Sequence, residues 1–87
     1  MKLSQLQTFV TVADNGGFAR ATARLNLTQS AASRQISALE SELGVPLFDR
    51  VERRVQLTSE GEDLLRQSRR LLSDVEALEH LTKRLNR

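Results

Sequence analysis

Apolar residues recur at helical spacing near the start of the chain. Four of them lie three or four residues apart, as on one buried face of an α-helix: Leu6, Phe9, Val10 and Ala13. Ser4 and Gln7 have the spacing of an N-terminal capping box, and Gly16 and Gly17 interrupt the pattern. The sequence therefore predicts a first helix that starts near Ser4 and ends before the two glycines.

A short helix and a longer one follow. Residues 18–25 are rich in alanine, with Ala21 as the expected point of close contact, and residues 26–27 leave room only for a tight connection. Thr28 is a good N-cap for the longer helix, and Gly44 is a good terminator. The apolar stripe of this helix is Ala32, Ile36, Leu39 and Leu43.

The other side of the longer helix is unusual for a solvated surface. It carries short polar side chains and one guanidinium: Gln29, Ser30, Ser33, Arg34 and Ser37. A solvated face usually carries long Lys and Glu, whereas this set offers donors and acceptors at short reach, as DNA base edges require. Two helices joined so closely predict a helix-turn-helix. An ordinary helical hairpin remains the alternative.

Residues 47–57 alternate apolar and polar positions at both ends of a charged middle, which predicts two short strands with a basic tip. We expect four residues to face or flank the core: Leu47, Phe48, Val55 and Leu57. Arg50, Arg53 and Arg54 would stay outside, where a wing touches phosphates or a minor groove. The alternative is a solvated loop partly neutralised by Asp49 and Glu52.

A long final helix is predicted from Thr58 to Asn86, with Ser59 and Glu62 as one possible capping box. Such a helix is about 43 Å long, whereas the preceding head is on the order of 25 Å across, so most of it must protrude. Its apolar positions form a coiled-coil seam that favours a homodimer. The predicted dimerisation residues are Leu64, Leu71, Val75, Leu78 and Leu85. Alternatively, the helix folds back on its own head or packs on another domain.

Composition narrows the function classes. The 87 residues carry a net charge of +2 and contain no cysteine, so no disulfide, thiol nucleophile or cysteine-ligated metal is available, and neither a metal nor a cofactor is expected. All basic residues except Lys2 and Lys83 are Arg, the cation suited to bidentate contacts with phosphate and guanine. No membrane-spanning run or secretory signal is present, so we expect a soluble, cytoplasmic protein.

An enzyme is not expected. His80 is the single histidine, and no Ser or acid is placed by the sequence to activate it. The serious alternative to DNA binding is a winged-helix head that binds another protein and dimerises through the coil. Substitution of Arg34 and Arg53 distinguishes the two interpretations, because only DNA binding requires these side chains.

Residues 3–72 resemble the N-terminal DNA-binding domain and linker helix of LysR-type transcriptional regulators. The positions at the family's spacing are Phe9, Gly17, Phe18, Ala21, Leu25, Gln29, Ser33, Arg34, Gln35, Ile36, Leu39, Glu40, Leu43, Gly44, Pro46, Leu47, Phe48, Arg50, Arg53, Leu57, Thr58 and Gly61. The chain departs from the family pattern at Ser30, which replaces a frequent Pro, and at Thr22 and Ala32. Ser30 is expected to change the base contact at its position, and neither Thr22 nor Ala32 threatens the fold.

The resemblance implies a mainly α fold: a winged helix-turn-helix with a short two-stranded wing at residues 1–57, and a dimerising linker helix at residues 58–87. The third helix would enter the major groove, and Arg53 the minor groove. The residues expected to contact bases are Gln29, Ser30, Ser33 and Arg34. Those expected to contact the minor groove are Arg53 and Arg54, and those expected to contact phosphates are Thr28, Gln35 and Arg50. Members of the family bind interrupted inverted repeats as homodimers, and the full-length proteins sometimes form tetramers. They also carry a C-terminal effector domain, so this chain is expected to be a fragment.

Overall fold

A computed structural model describes residues 1–51 and 54–86, with the backbone only at residues 50 and 51. Four helices and a two-stranded antiparallel sheet make up this part of the chain, which confirms the predicted winged helix-turn-helix with a long final helix. The elements are α1 Leu3–Asn15, α2 Phe18–Leu25, α3 Gln29–Leu43, β1 Phe48–Val51, β2 Arg54–Leu57 and α4 Ser59–Leu85.

Threonines cap two of the helices. The Oγ1 atom of Thr28 accepts the N–H of Ala31 at 3.1 Å, and that of Thr58 accepts the N–H of Gly61 at 2.9 Å. Each bond satisfies a donor that the first helical turn leaves without a partner. The Thr28 cap is therefore confirmed, whereas the optional capping role of Ser59 is wrong because Thr58 occupies the N-cap of α4.

The predicted Ser4/Gln7 capping box of α1 is also wrong, although the helix starts within one residue of the expected position. This helix begins at Leu3, and the Gln5 side chain accepts the backbone N–H of Lys2 at 2.8 Å, so Ser4 already lies inside the first turn. Several polar residues at adjacent positions can cap a helix, and the sequence does not rank them. Gly16 ends α1 in the left-handed conformation at φ 68°, as expected from the two glycines.

The core lies between α1, α2, α3 and the segment that leads into β1. Its buried apolar residues are Leu6, Phe9, Val12, Phe18, Ala21, Ala32, Ile36, Leu39, Leu47 and Phe48. Phe9 and Phe48 pack as a tilted pair with ring centroids 5.3 Å apart. Ala21 is fully buried, as predicted, and so is Ala32; small side chains let the helices approach closely.

The two wing strands are tied to both α3 and α4. Phe48 pairs with Leu57, and Val51 pairs with Arg54 at the far end of the hairpin. Val55 and Leu57 pack against the core, which confirms the predicted apolar side of the wing. At the base, Thr58 donates its backbone N–H to the Leu47 carbonyl at 3.0 Å. These contacts fix the orientation of the wing relative to the head.

Helix α4 lies against the head only along its first turns. Gly61 and Ser68 are buried there, and Arg69 forms an ion pair with Asp14 at the end of α1. The rest extends beyond the head, which gives the molecule principal dimensions of 50 × 25 × 19 Å. Residues 76–86 are all exposed, so the C-terminal part of the helix protrudes as expected, whereas residues up to Arg69 contact the head.

Two negative findings apply to the described residues. None of their helices is both long and apolar enough to cross a membrane. No group of three or more His, Asp or Glu side chains among them is placed to hold a metal ion.

Candidate nucleic-acid interface

Helix α3 presents one polar face to solvent. Ala32, Ile36 and Leu39 are buried, and they hold the opposite side of the helix against the core. Six positions between 29 and 41 are exposed: Gln29, Ser30, Arg34, Ser37, Ala38 and Ser41. Only Arg34 is charged, and every other side chain except Gln29 is short. A partner surface can therefore approach this face closely and meet donors and acceptors without meeting a carboxylate.

The predicted base-contacting residues are brought together on this face. Gln29, Ser30 and Arg34 are exposed, and Ser33 is half-buried at its edge. Ser37 and Ser41 continue the same polar surface towards the C-terminal end of α3. Neither was among the predicted contacts, although the helical period placed Ser37 on this side.

Two of the predicted phosphate contacts have internal partners. Thr28 is exposed, and its Oγ1 accepts a helix N–H, so its hydroxyl hydrogen remains available to donate. Gln35 is half-buried, and its Oε1 accepts the hydroxyl of Thr8, a residue of α1 that is 2% exposed. Gln35 therefore joins α3 to α1 and leaves its amide NH₂ group as its donor.

The basic tip of the wing is described only in part. Arg54 is exposed on β2, next to the turn of the hairpin. The predicted contacts of Arg53 and of the Arg50 side chain lie outside the described residues. Arg54 is thus the one predicted minor-groove contact whose exposure is established.

Two clefts flank α3 on opposite sides. One lies between α3 and the N-terminal end of α1, where its lining includes Lys2, Arg34 and Ala38. The other lies between Gln29, the start of α2 with Arg20, and the wing. Gln29 and Ala38 are nine residues apart, or about two and a half helical turns, so they point in opposite directions from the axis. The polar face lies between the two clefts.

The first cleft was missed by the sequence reasoning. Lys2, Ser4 and Gln5 lie about thirty positions before the residues of α3 that complete it. No local pattern signals this meeting, since it depends on the angle at which α1 packs on α3.

The predicted dimerisation residues fall into two groups. Leu71, Leu78 and Leu85 are 44%, 59% and 73% exposed, and Val75 is half-buried. Leu64 instead packs against the core of the head. Leu81, which was not among the predicted residues, is also exposed, at 41%. Leu64 and the exposed residues 71, 78 and 85 repeat every seven positions, so they lie on roughly the same side of the helix. The apolar stripe of α4 therefore packs on the head at its N-terminal end and lies in solvent farther along.

Comparisons with known proteins identify relatives over nearly the whole chain. The family described as "Bacterial regulatory helix-turn-helix protein, lysR family" matches residues 3–62. An uncharacterised HTH-type transcriptional regulator in the ibpB-leuC intergenic region of Azotobacter vinelandii is 45% identical over 86 residues, a match that covers 99% of this chain and 60% of that protein. The chain spans only 25% and 28% of two further curated relatives, which are also regulators.

Solved structures give the same result. The BenM DNA-binding domain in complex with catB site 1 DNA superimposes with a TM-score of 0.92 at 39% identity, covering 98% of this chain and 96% of that one. The CbnR DNA-binding domain in its DNA complex gives a TM-score of 0.89 at 36% identity and covers all of both chains.

Proposed function

Because the chain belongs to the LysR family of bacterial regulatory helix-turn-helix proteins, we propose that it binds double-stranded DNA and serves as the DNA-reading part of a transcriptional regulator. The polar face of α3 is the observation that carries this proposal. Its exposed side chains between residues 29 and 41 include no carboxylate, and the core backs it; the exposed Glu42, at the C-terminal end of α3, pairs with the N-terminal ammonium. Its helix is about 10–12 Å across, which fits a B-DNA major groove about 12 Å wide.

The base contacts are assigned to four residues of that face: Gln29, Ser30, Ser33 and Arg34. Arg34 is the best candidate for guanine, since a guanidinium donates two parallel hydrogen bonds to guanine O6 and N7. Gln29 suits adenine in the same way, and the serine hydroxyls accept or donate with several bases. The short side chains around Arg34 allow the helix to enter deeply enough for these contacts.

Backbone and minor-groove contacts surround this face. Thr28, Gln35 and Arg50 are assigned to phosphates, and Arg53 and Arg54 to the minor groove next to the wing. The exposure of Arg54 and the free amide donors of Gln35 support the assignment. The two solved relatives, both determined as DNA complexes, support a nucleic-acid partner for this fold.

A homodimer completes the proposed function. Its seam is α4, and the exposed leucines support it because a helix that protrudes with an apolar stripe gains stability from a second copy. Two heads related by a two-fold axis would read the halves of an interrupted inverted repeat. In a longer parent protein, the head at residues 1–57 and the linker helix at residues 58–87 would precede an effector domain. That domain would permit tetramers, and the regulator would act on DNA in the cytoplasm.

The test is selection of this chain against a pool of random duplexes, followed by titration of the recovered site. We expect a two-fold symmetric sequence. Arg34→Ala should weaken binding to it by about 1–3 kcal/mol, roughly fivefold to 150-fold, and relax the preference at one base pair. Arg84→Ala is the matched control, because it removes an exposed Arg of α4 far from the polar face.

Two results would count against DNA recognition. One is binding that stays tight in an Arg34→Ala, Arg53→Ala double variant. The other is weak, sequence-indifferent binding by a chain that sizing shows to be dimeric, which would favour a winged-helix head that binds protein.

A further inference from the structure

The cleft between α1 and α3 contains polar groups that, apart from Arg34, the proposed base contacts do not use. Its lining contains no carboxylate, whereas it contains the ammonium of Lys2 and the guanidinium of Arg34. Within the described part of the chain, neither cation takes part in an ion pair. Two positive charges that face the same cleft without a counterion favour an anion.

Both glutamines of the cleft have their oxygen atoms occupied. The Oε1 atom of Gln5 accepts the backbone N–H of Lys2 at 2.8 Å, and that of Gln35 accepts the hydroxyl of buried Thr8. Their amide NH₂ groups are the ends that remain for a ligand, and each supplies two donors. Together with the hydroxyl of Ser4, the cleft therefore offers hydrogen-bond donors to whatever enters it.

The position of the cleft identifies the source of the anion. It borders the polar face of α3, on the side opposite Gln29. When α3 lies in a major groove, the two sugar-phosphate backbones run along both sides of the helix, one beside each cleft. A non-bridging phosphate oxygen accepts hydrogen bonds and carries negative charge, as this lining requires.

We propose that this cleft is a phosphodiester site, in which Lys2, Gln5 and Gln35 hold one backbone phosphate of the DNA strand that passes α1. The inference rests on the proposed DNA binding and extends it to α1, an element outside the helix-turn-helix and the wing. The hydrogen bond that Gln35 accepts from Thr8 fixes the direction of its amide donors. The site sets the depth and orientation of α3 without reading sequence.

The first test compares Lys2→Ala with Lys83→Ala, which removes the other lysine from an exposed position on α4. Affinity is measured for the selected duplex and a scrambled one over a series of salt concentrations. Lys2→Ala should weaken both complexes about three- to tenfold, and the slope of log affinity against log salt should become less negative by about 0.9, the value for one phosphate contact. Lys83→Ala should change neither quantity.

The second test locates the phosphate. Duplexes that each carry a single neutral methylphosphonate are titrated with both proteins. One position should weaken the wild-type complex clearly more than the Lys2→Ala complex, whereas the other sensitive positions should affect both equally. Circular dichroism melts should show that Lys2→Ala folds normally, since its backbone N–H still bonds Gln5.

Three outcomes would overturn the inference, and they are distinguishable. If wild-type protein binds no duplex, the proposed function fails as well. If Lys2→Ala binds DNA with the same affinity and salt slope as wild type, only the phosphodiester site fails. If inorganic phosphate shifts the Gln35 amide NMR signals in a Lys2-dependent way while every methylphosphonate acts equally on both proteins, the cleft binds free anions and not the DNA backbone.

Discussion

Gly61 occupies a position in α4 that leaves no room for a side chain. A Cβ atom built there would lie 2.2 Å from the Leu47 carbonyl oxygen and 3.0 Å from a methyl carbon of Leu57. The carbonyl belongs to the backbone that leads into the wing, and it already accepts the N–H of Thr58, so it cannot move freely. One missing methyl group thus sets how closely α4 approaches the base of the wing.

Gly61→Ala should therefore destabilise the protein although alanine favours helices. We expect the free energy of unfolding to fall by about 1–3 kcal/mol, as for other overpacked sites, measured by urea denaturation. Gly17→Ala is the control, since nothing lies within 4 Å of its Cβ position and its backbone is extended. A Gly61→Ala variant as stable as wild type would mean that α4 shifts at no cost.

Glu40 connects two elements. From the last turn of α3, its Oε2 atom accepts the N–H of Leu47 at 2.7 Å and approaches that of Phe48 at 3.4 Å. These donors lie at the start of β1, where the chain has left α3 through Gly44 and turned towards the wing. The carboxylate thereby fixes the wing relative to the helix that carries the polar face.

Glu40→Ala should loosen the wing. Leaving two partly buried N–H groups without an acceptor costs about 1–3 kcal/mol, and amide hydrogen exchange at Leu47 and Phe48 should accelerate. Glu40→Gln, which keeps one acceptor oxygen, should fall between this variant and wild type. Glu79→Ala removes an exposed carboxylate of α4 and should leave both quantities near wild type. Unchanged exchange in Glu40→Ala would show that packing alone holds β1.

The molecule as a whole is a compact head with a protruding arm. Arg69, Ser68 and Gly61 mark where α4 contacts the head, and beyond them the leucines lie in solvent. The arm is the longest feature of the molecule, which measures 50 Å in that dimension. A partner helix is the simplest way to cover this stripe, and the spacing of two heads along DNA would then be set by the arm.

Leu78→Glu should disrupt such a dimer without harming the head. A carboxylate in an apolar seam should weaken association at least tenfold, about 1.4 kcal/mol, as measured by sedimentation equilibrium. His80→Glu places the same charge on the other side of the exposed helix and should leave the dimer intact. Equal self-association of both variants would mean that the leucine stripe is not the seam.

Residue periodicity was enough to predict much of this structure. The four helices, the Thr28 cap, the wing with its apolar side and the exposed face of α3 all follow from signals that repeat within a few residues. Capping was predicted less well, because neighbouring polar residues compete for the same role: the capping box of α1 involves Lys2 and Gln5, not Ser4 and Gln7. The resemblance of the sequence to LysR-type regulators added the family, which the comparisons confirm.

Local pattern could not determine how distant segments meet. Gln35 was predicted as a phosphate contact, but the sequence did not indicate that its oxygen accepts a hydrogen bond from Thr8, which lies 27 residues earlier. Leu64 has the heptad spacing of the exposed leucines but packs on the core. Both outcomes, like the cleft beside Lys2, depend on the angle and distance between packed helices. The sequence determined which face each helix buries, because that is a property of its own period; only the tertiary structure decided which residues lie opposite that face.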